Sequence, residues 1–154
     1  MKTFISYSTA QDQIIALRLQ TLAAVYGMTV YVPPATTRQT WTGALSPEVQ
    51  NHLRESDVVL AVITHNPTPG AVNEMNAGLQ LGRLLVPIVS QSVPRQYYAD
   101  FPAYFVVDPV SPWQTEQAIV QFLKGKQQSD AAKAGLLALA TVAVGLLLFG
   151  SESD

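Results

Sequence analysis

The 154-residue chain contains no cysteine, which excludes a disulfide framework and thiolate metal sites. Two histidines are present, His52 and His65, and their separation is not that of a metal-ligand pair, so no metal site is expected. Charge is scarce too. Asp, Glu, Lys and Arg make up 13% of the residues, and the net charge is −2. No Lys/Arg stripe and no aromatic platform run through the chain, so nothing points to nucleic acid. The N-terminus lacks the apolar core of a signal peptide. Met1-Lys2 leads into a short strand-like run and then into polar Ser6-Tyr7-Ser8. No internal repeat is present.

What the sequence does contain is alternation of strand-like and helix-like segments. Its centre runs from Ser56 to Val89. Asp57 to Ile63 is a short apolar run rich in β-branched residues, which suits a strand buried on both faces. Thr64-His-Asn-Pro-Thr-Pro-Gly70 is turn chemistry. Ala71 to Arg83 places Ala71, Met75, Gly78, Leu79 and Gly82 at helical spacing, and Leu84 to Val89 is a second buried strand. Two parallel strands joined by a helix make a right-handed βαβ unit.

The flanks extend this pattern. Thr3 to Ser6 reads as a first strand. Gln11 or Asp12 starts a helix whose apolar face is Ile14, Ile15, Leu17, Leu19, Leu22 and Val25, with Gly27 as its stop. Met28 to Val32 is a second strand, halted by Pro33-Pro34. A polar loop over Ala35 to Gly43 carries Trp41. Ser46 and Pro47 open a short helix ending near Glu55. After an irregular stretch from Ser90 to Pro102, Ala103 to Val107 is a fifth strand, and Ser111-Pro112-Trp113 opens a last helix with Ala118, Ile119, Phe122 and Leu123 facing the core. The expected architecture is α/β: a flavodoxin-like, doubly wound parallel sheet of five strands in the order 2-1-3-4-5.

The tail differs in kind. Ala134 to Gly150 carries no charge, and Thr141 is its one polar residue. Counted from Ala131, a helix here is roughly 30 Å long, which matches a bilayer core. The expected domains are 1–125 for the α/β domain, 126–130 for a polar linker and 131–150 for a transmembrane helix. Lys124, Lys126 and Lys133 lie on the N-terminal side of the span and acidic residues follow it, which places the N-terminal domain in the cytoplasm of a single-pass protein. Ala131/Gly135 and Ala134/Ala138 are small residues four apart, suited to self-association of the helix. A buried helix within an oligomer is the alternative for this segment.

In open α/β sheets the ligand crevice lies at the carboxyl ends of the strands. Glu74, expected in about the first turn of the helix after the central strand, is the acid at that edge. Gly78, one turn on, leaves room beside it.

Phe4-Ile-Ser-Tyr-Ser8, followed by Asp12, Leu17, Leu22 and Gly27 before a Val-Tyr-Val strand, resembles the opening of Toll/interleukin-1 receptor (TIR) domains. Trp41 and Ser56-Asp57-Val58-Val59 resemble the middle of the family. Glu74 with a small residue four later, Gly82 and the strand Leu85-Val-Pro-Ile-Val89 resemble the end. The resemblance covers about residues 3–125. It implies a bacterial defence or signalling effector that cleaves the nicotinamide–ribose bond of NAD after oligomerisation, releasing a hydrolysed or cyclic product. It maps the catalytic acid onto Glu74. NAD is then substrate, and no cofactor is implied. Where family enzymes often carry a Trp and an acid, this chain has Gly70 and Pro33-Pro34.

The chemistry fits the residues. Breaking an N-glycosidic bond builds oxocarbenium character at the sugar C1′, which a nearby carboxylate stabilises. Nicotinamide leaves as a neutral molecule, so no general acid is required. Ser6, Tyr7 and Ser8 are placed to contact phosphate or ribose, His65 and Asn66 to sit beside Glu74, and Trp41 to stack on a base. Each also has a purely structural reading. Glu74 suits a helix dipole, Ser6 and Ser8 can cap the following helix, His65 can be a loop hydrogen-bonder, and Trp41 can anchor its loop.

Rival functions share the architecture. A phosphoacceptor receiver needs acids where Ser6-Tyr7 and Thr64-His65 stand, and a flavin site needs a glycine the Ser6–Ala10 loop lacks. Two alternatives stay open: a non-catalytic TIR scaffold or nucleotide-binding module, and a nucleoside deoxyribosyltransferase-like enzyme.

Overall fold

A computed structural model describes residues 1–34 and 44–129. Among these residues five strands and four α-helices follow in order: β1 (Lys2–Ser6), α1 (Ala10–Val25), β2 (Thr29–Tyr31), α2 (Pro47–Glu55), β3 (Val58–Ile63), α3 (Pro69–Gln80), β4 (Leu84–Ser90), β5 (Phe105–Val107) and α4 (Pro112–Ser129). A single 3₁₀ turn, Arg95–Tyr97, lies between β4 and β5. All strand pairs are parallel, and the sheet order is β2-β1-β3-β4-β5, as the element pattern predicts.

The sheet separates two cores because alternate strand residues point to opposite faces. On β3, Val58, Leu60 and Val62 pack toward α1 and α4, which supply Ala16, Leu19, Ala23, Ile119 and Leu123. Val59 and Ala61 pack the other way, with Phe4 and Leu85, against Val49 and Leu53 of α2. Every residue from Val58 to Val62 is buried, which accounts for a continuous apolar run rather than an alternating one.

Helix ends follow local chemistry. Thr9, not Ser6 or Ser8, caps α1, and it forms a reciprocal capping box with Asp12. Gly27, at φ 70°, ends α1 in the left-handed region that glycine tolerates. Ser46 caps α2 with Pro47 following, as its sequence indicates. Thr68 caps α3, which therefore starts at Pro69, two residues before the position its apolar spacing suggests.

Three expectations are corrected. The apolar face of α1 is only partly buried: Ala16, Leu19 and Ala23 face the core, whereas Ile14, Leu17 and Val25 are exposed. The polar segment read as a linker continues α4 through Ser129. Gly78 does not leave space. A Cβ at that position would lie 3.0 Å from Val59 Cγ2, so the missing side chain lets α3 lie against β3. Trp41 and the apolar tail lie outside the described residues. Among the described residues, no helix is long and apolar enough to cross a membrane.

Candidate functional site

Ser6 ends β1 and Glu74 stands in the second turn of α3. Phe4, and hence Ser6 two residues on, projects from the sheet face that α2 and α3 cover. Ala71, Glu74 and Gly78 form the buried stripe of α3, spaced three and four apart so that one face meets the sheet. The two side chains meet there: Ser6 Oγ donates to Glu74 Oε1 at 2.8 Å. Glu74 has no solvent exposure and Ser6 has 1%. Glu74 therefore lies one turn deeper than the first-turn position the sequence suggests. It is a wholly buried carboxylate, held by a hydroxyl from the neighbouring strand, near the point where strand order reverses about β1.

The surrounding edge is rich in hydroxyl groups. Ser8 Oγ accepts from the Thr68 backbone N–H at 3.0 Å, which ties the end of β1 to the first turn of α3. Thr64 Oγ1 donates to Asp12 Oδ1. Asp12 Oδ2 accepts from the Thr9 amide at 3.4 Å. Ser90 Oγ donates to the Thr64 carbonyl at 3.1 Å and contacts Ser92 Oγ at 2.7 Å. Thr64, Thr68 and Asp12 thus lock the carboxyl edge together. Their roles were concealed in turn-type sequence, although Thr9-x-x-Asp12 has capping-box spacing.

The other expected site residues separate into distinct places. Tyr7 is 2% exposed, lies in the α1/α4 core, and donates its hydroxyl to the Pro33 carbonyl; it anchors the end of β2 rather than facing a ligand cleft. Ser8 is taken up with α3. His65 and Asn66 do not share a cavity with Glu74. They line a cleft of about 850 Å³ on the opposite flank of α3, with Met75, Leu79, Pro87, Val93, Tyr97 and Phe101. The structure brings Ser6 to Glu74, and it assembles His65 and Asn66 into a second place.

The fold has solved counterparts. The CMP N-glycosidase BcmB of Clostridium botulinum superposes with a TM-score of 0.52 at 14% identity, over 80% of this chain and 98% of that one. The two chains share a fold. The TIR domains of the activated Roq1 resistosome, which recognises the pathogen effector XopQ, give a TM-score of 0.47 at 13% identity over 93% of this chain and 80% of that one. No family profile and no curated protein matches the sequence.

No cluster of three or more His, Cys, Asp or Glu suited to a metal ion occurs among the described residues. A carboxyl at the amino end of the sheet has a displaced pKa. Glu55 is held below its ordinary value of 4.5 by a hydrogen bond from Lys2 and then by the Lys2 charge. Chemically, the Ser6–Glu74 pair places a carboxyl group, with one oxygen held by a hydroxyl donor, in a water-poor setting. In its ionised form such a group is worth more against a developing cation there than in water.

Proposed function

We propose that the chain is a TIR-like nucleotide N-glycoside hydrolase, with NAD as substrate and Glu74 as the residue that stabilises the reacting sugar. The observation that carries this is the placement of Glu74: a fully buried carboxylate at the ligand-binding edge of a doubly wound sheet, oriented by Ser6. The shared fold with an enzyme named as a CMP N-glycosidase supports the reaction class.

The reaction balances without a proton donor when the leaving group is a cationic ring. The electron pair of the C1′–N bond departs with nicotinamide, which leaves neutral. The ribose becomes oxocarbenium-like, and Glu74 lies against that charge. Water adds through its oxygen to C1′ and releases a proton to solvent. A cytosine leaving group differs, because it departs as an anion unless protonated. Ser6 directs its hydroxyl proton to Glu74, so the pair as described is suited to NAD over CMP. The full cover over Glu74 requires an opening step. We assign that step to self-association of the chains, which the apolar tail promotes by holding them at a membrane.

The experiment incubates full-length protein, reconstituted in vesicles, with NAD or with CMP, and measures free nicotinamide and free cytosine. Nicotinamide release that Glu74→Gln abolishes is the expected result. Cytosine release alone transfers the reading to nucleoside monophosphates. Release of neither base from assembled protein favours a non-catalytic scaffold.

A further inference from the structure

The cleft on the other flank of α3 is unused by that chemistry. Its floor is the end of β3 and part of β4, through Ile63, Leu85 and Pro87. One wall is the outer face of α3, and the other is the chain from Ser92 to Phe101. Its volume, about 850 Å³, is that of a small-molecule site rather than a packing defect. No Asp, Glu, Lys or Arg lines it. Burying an ionic group there would leave that charge uncompensated, so an uncharged ligand fits. Tyr97 and Phe101 offer aromatic surface opposite Met75 and Leu79, which suits a flat ring. Tyr97 is 67% exposed and Leu79 48%, large apolar side chains left open at the cleft.

Polar groups meet this apolar space from Thr64, His65, Asn66, Asn76 and Ser92. The histidine has a defined role among them. Thr64 has one hydroxyl proton, and it goes to the Asp12 carboxylate, whose other oxygen accepts from the Thr9 amide. The 3.0 Å contact between Thr64 Oγ1 and His65 Nδ1 is then made with Nδ1–H as donor. In the neutral ring this leaves Nε2 as an acceptor. Asn66 and Asn76 can each donate and accept through their amides.

We infer that this cleft is a second binding site, separate from Glu74, for an uncharged planar nitrogen heterocycle of the nucleobase or carboxamide-pyridine type. The ring lies between α3 and the Tyr97–Phe101 wall. An N–H of the ligand donates to His65 Nε2, and the two asparagines read its remaining edge. Such a site allows a free base to be sensed by the helix that carries Glu74 on its other face.

The test is calorimetric titration of the full chain with adenine, cytosine and nicotinamide separately, with benzene as a ring that cannot hydrogen-bond. At least one of the three bases binds, and benzene binds more weakly. His65→Ala, at an exposed position, weakens base binding by about tenfold, the worth of one well-made hydrogen bond. Leu79→Trp, also exposed, fills the cleft and removes binding. Glu74→Gln leaves it unchanged, which separates this site from the hydrolase reading. No binding of any base, equal binding of benzene, or indifference to both His65→Ala and Leu79→Trp overturns the assignment. Loss of binding in Glu74→Gln places the ligand in the other site and overturns it as well.

Discussion

Glu74 and Ser6 are the smallest unit on which the proposed function rests. A buried carboxylate is costly unless its oxygens are hydrogen-bonded, and Ser6 meets part of that need. Glu74→Gln keeps the volume and a carbonyl to accept from Ser6, so we expect near-normal thermal unfolding with nicotinamide release down by about 10²-fold or more. Glu74→Ala strands the Ser6 hydroxyl in a buried setting and costs about 1–3 kcal/mol in a urea titration. Ser6 acts through Glu74, so Ser6→Ala lowers kcat and leaves KM for NAD nearly unchanged; a raised KM at constant kcat contradicts that role. Glu48 is exposed on α2 and makes a clean control. Asp12 does not, because it completes the capping box of α1 and accepts from Thr64. The place of Glu74, on the helix after the central strand and at the carboxyl edge of the sheet, was readable in the sequence. Its burial was not, because helical spacing alone does not say how far the neighbouring strand approaches.

At the scale of elements, glycine and charge explain how the layers fit. Gly78 holds α3 against Val59, itself fully buried at the centre of the sheet. Gly78→Leu improves intrinsic helix propensity but overpacks this contact, so we expect a net loss of roughly 1–3 kcal/mol in denaturant titration. Combining it with Val59→Ala should recover part of the loss, and strict additivity of the two changes would refute the contact. Lys2 of β1 and Glu55 of α2 join the amino edge through a 2.7 Å ion pair. Because the folded-state pKa of Glu55 lies below 4.5, the pair contributes fully above that pH and loses its contribution as the pH falls below it. Glu55→Gln should therefore leave a slightly shallower loss of stability below pH 4.5 and no change in slope at neutral pH. The effect is small because both groups are exposed. Strand order and most helix starts were legible, since apolar runs and N-cap residues are local signals. The exposed half of α1 was not, because Ile14 and Leu17 carry the same periodic pattern as a buried face and burial is decided by how much of the helix α4 and the sheet cover.

The whole molecule joins this α/β domain to an apolar tail. α4 carries Lys124 and Lys126 in its last turns and runs on to Ser129, so the expected boundary between domain and linker falls inside a helix. Beyond it the sequence holds Lys133, an uncharged stretch from Ala134 to Gly150, and acidic residues after that. We propose that this stretch, whose length and composition match a bilayer core, anchors the chain with the preceding lysines on the cytoplasmic side. Tethering confines chains to two dimensions and raises their effective concentration, which favours assembly without any new contact. Full-length protein should therefore sediment with membranes and resist extraction by high salt and alkaline carbonate. A chain stopped at Asp130 should remain in the supernatant. Replacing Gly135 and Ala138 by Leu should lower crosslinked dimer yield while leaving membrane association intact, because close helix approach depends on small side chains. The same substitutions should lower nicotinamide release per chain if assembly opens the Glu74 site. Recovery of full-length protein in the soluble fraction without detergent would refute the anchor, and unchanged turnover with reduced dimer would separate catalysis from assembly.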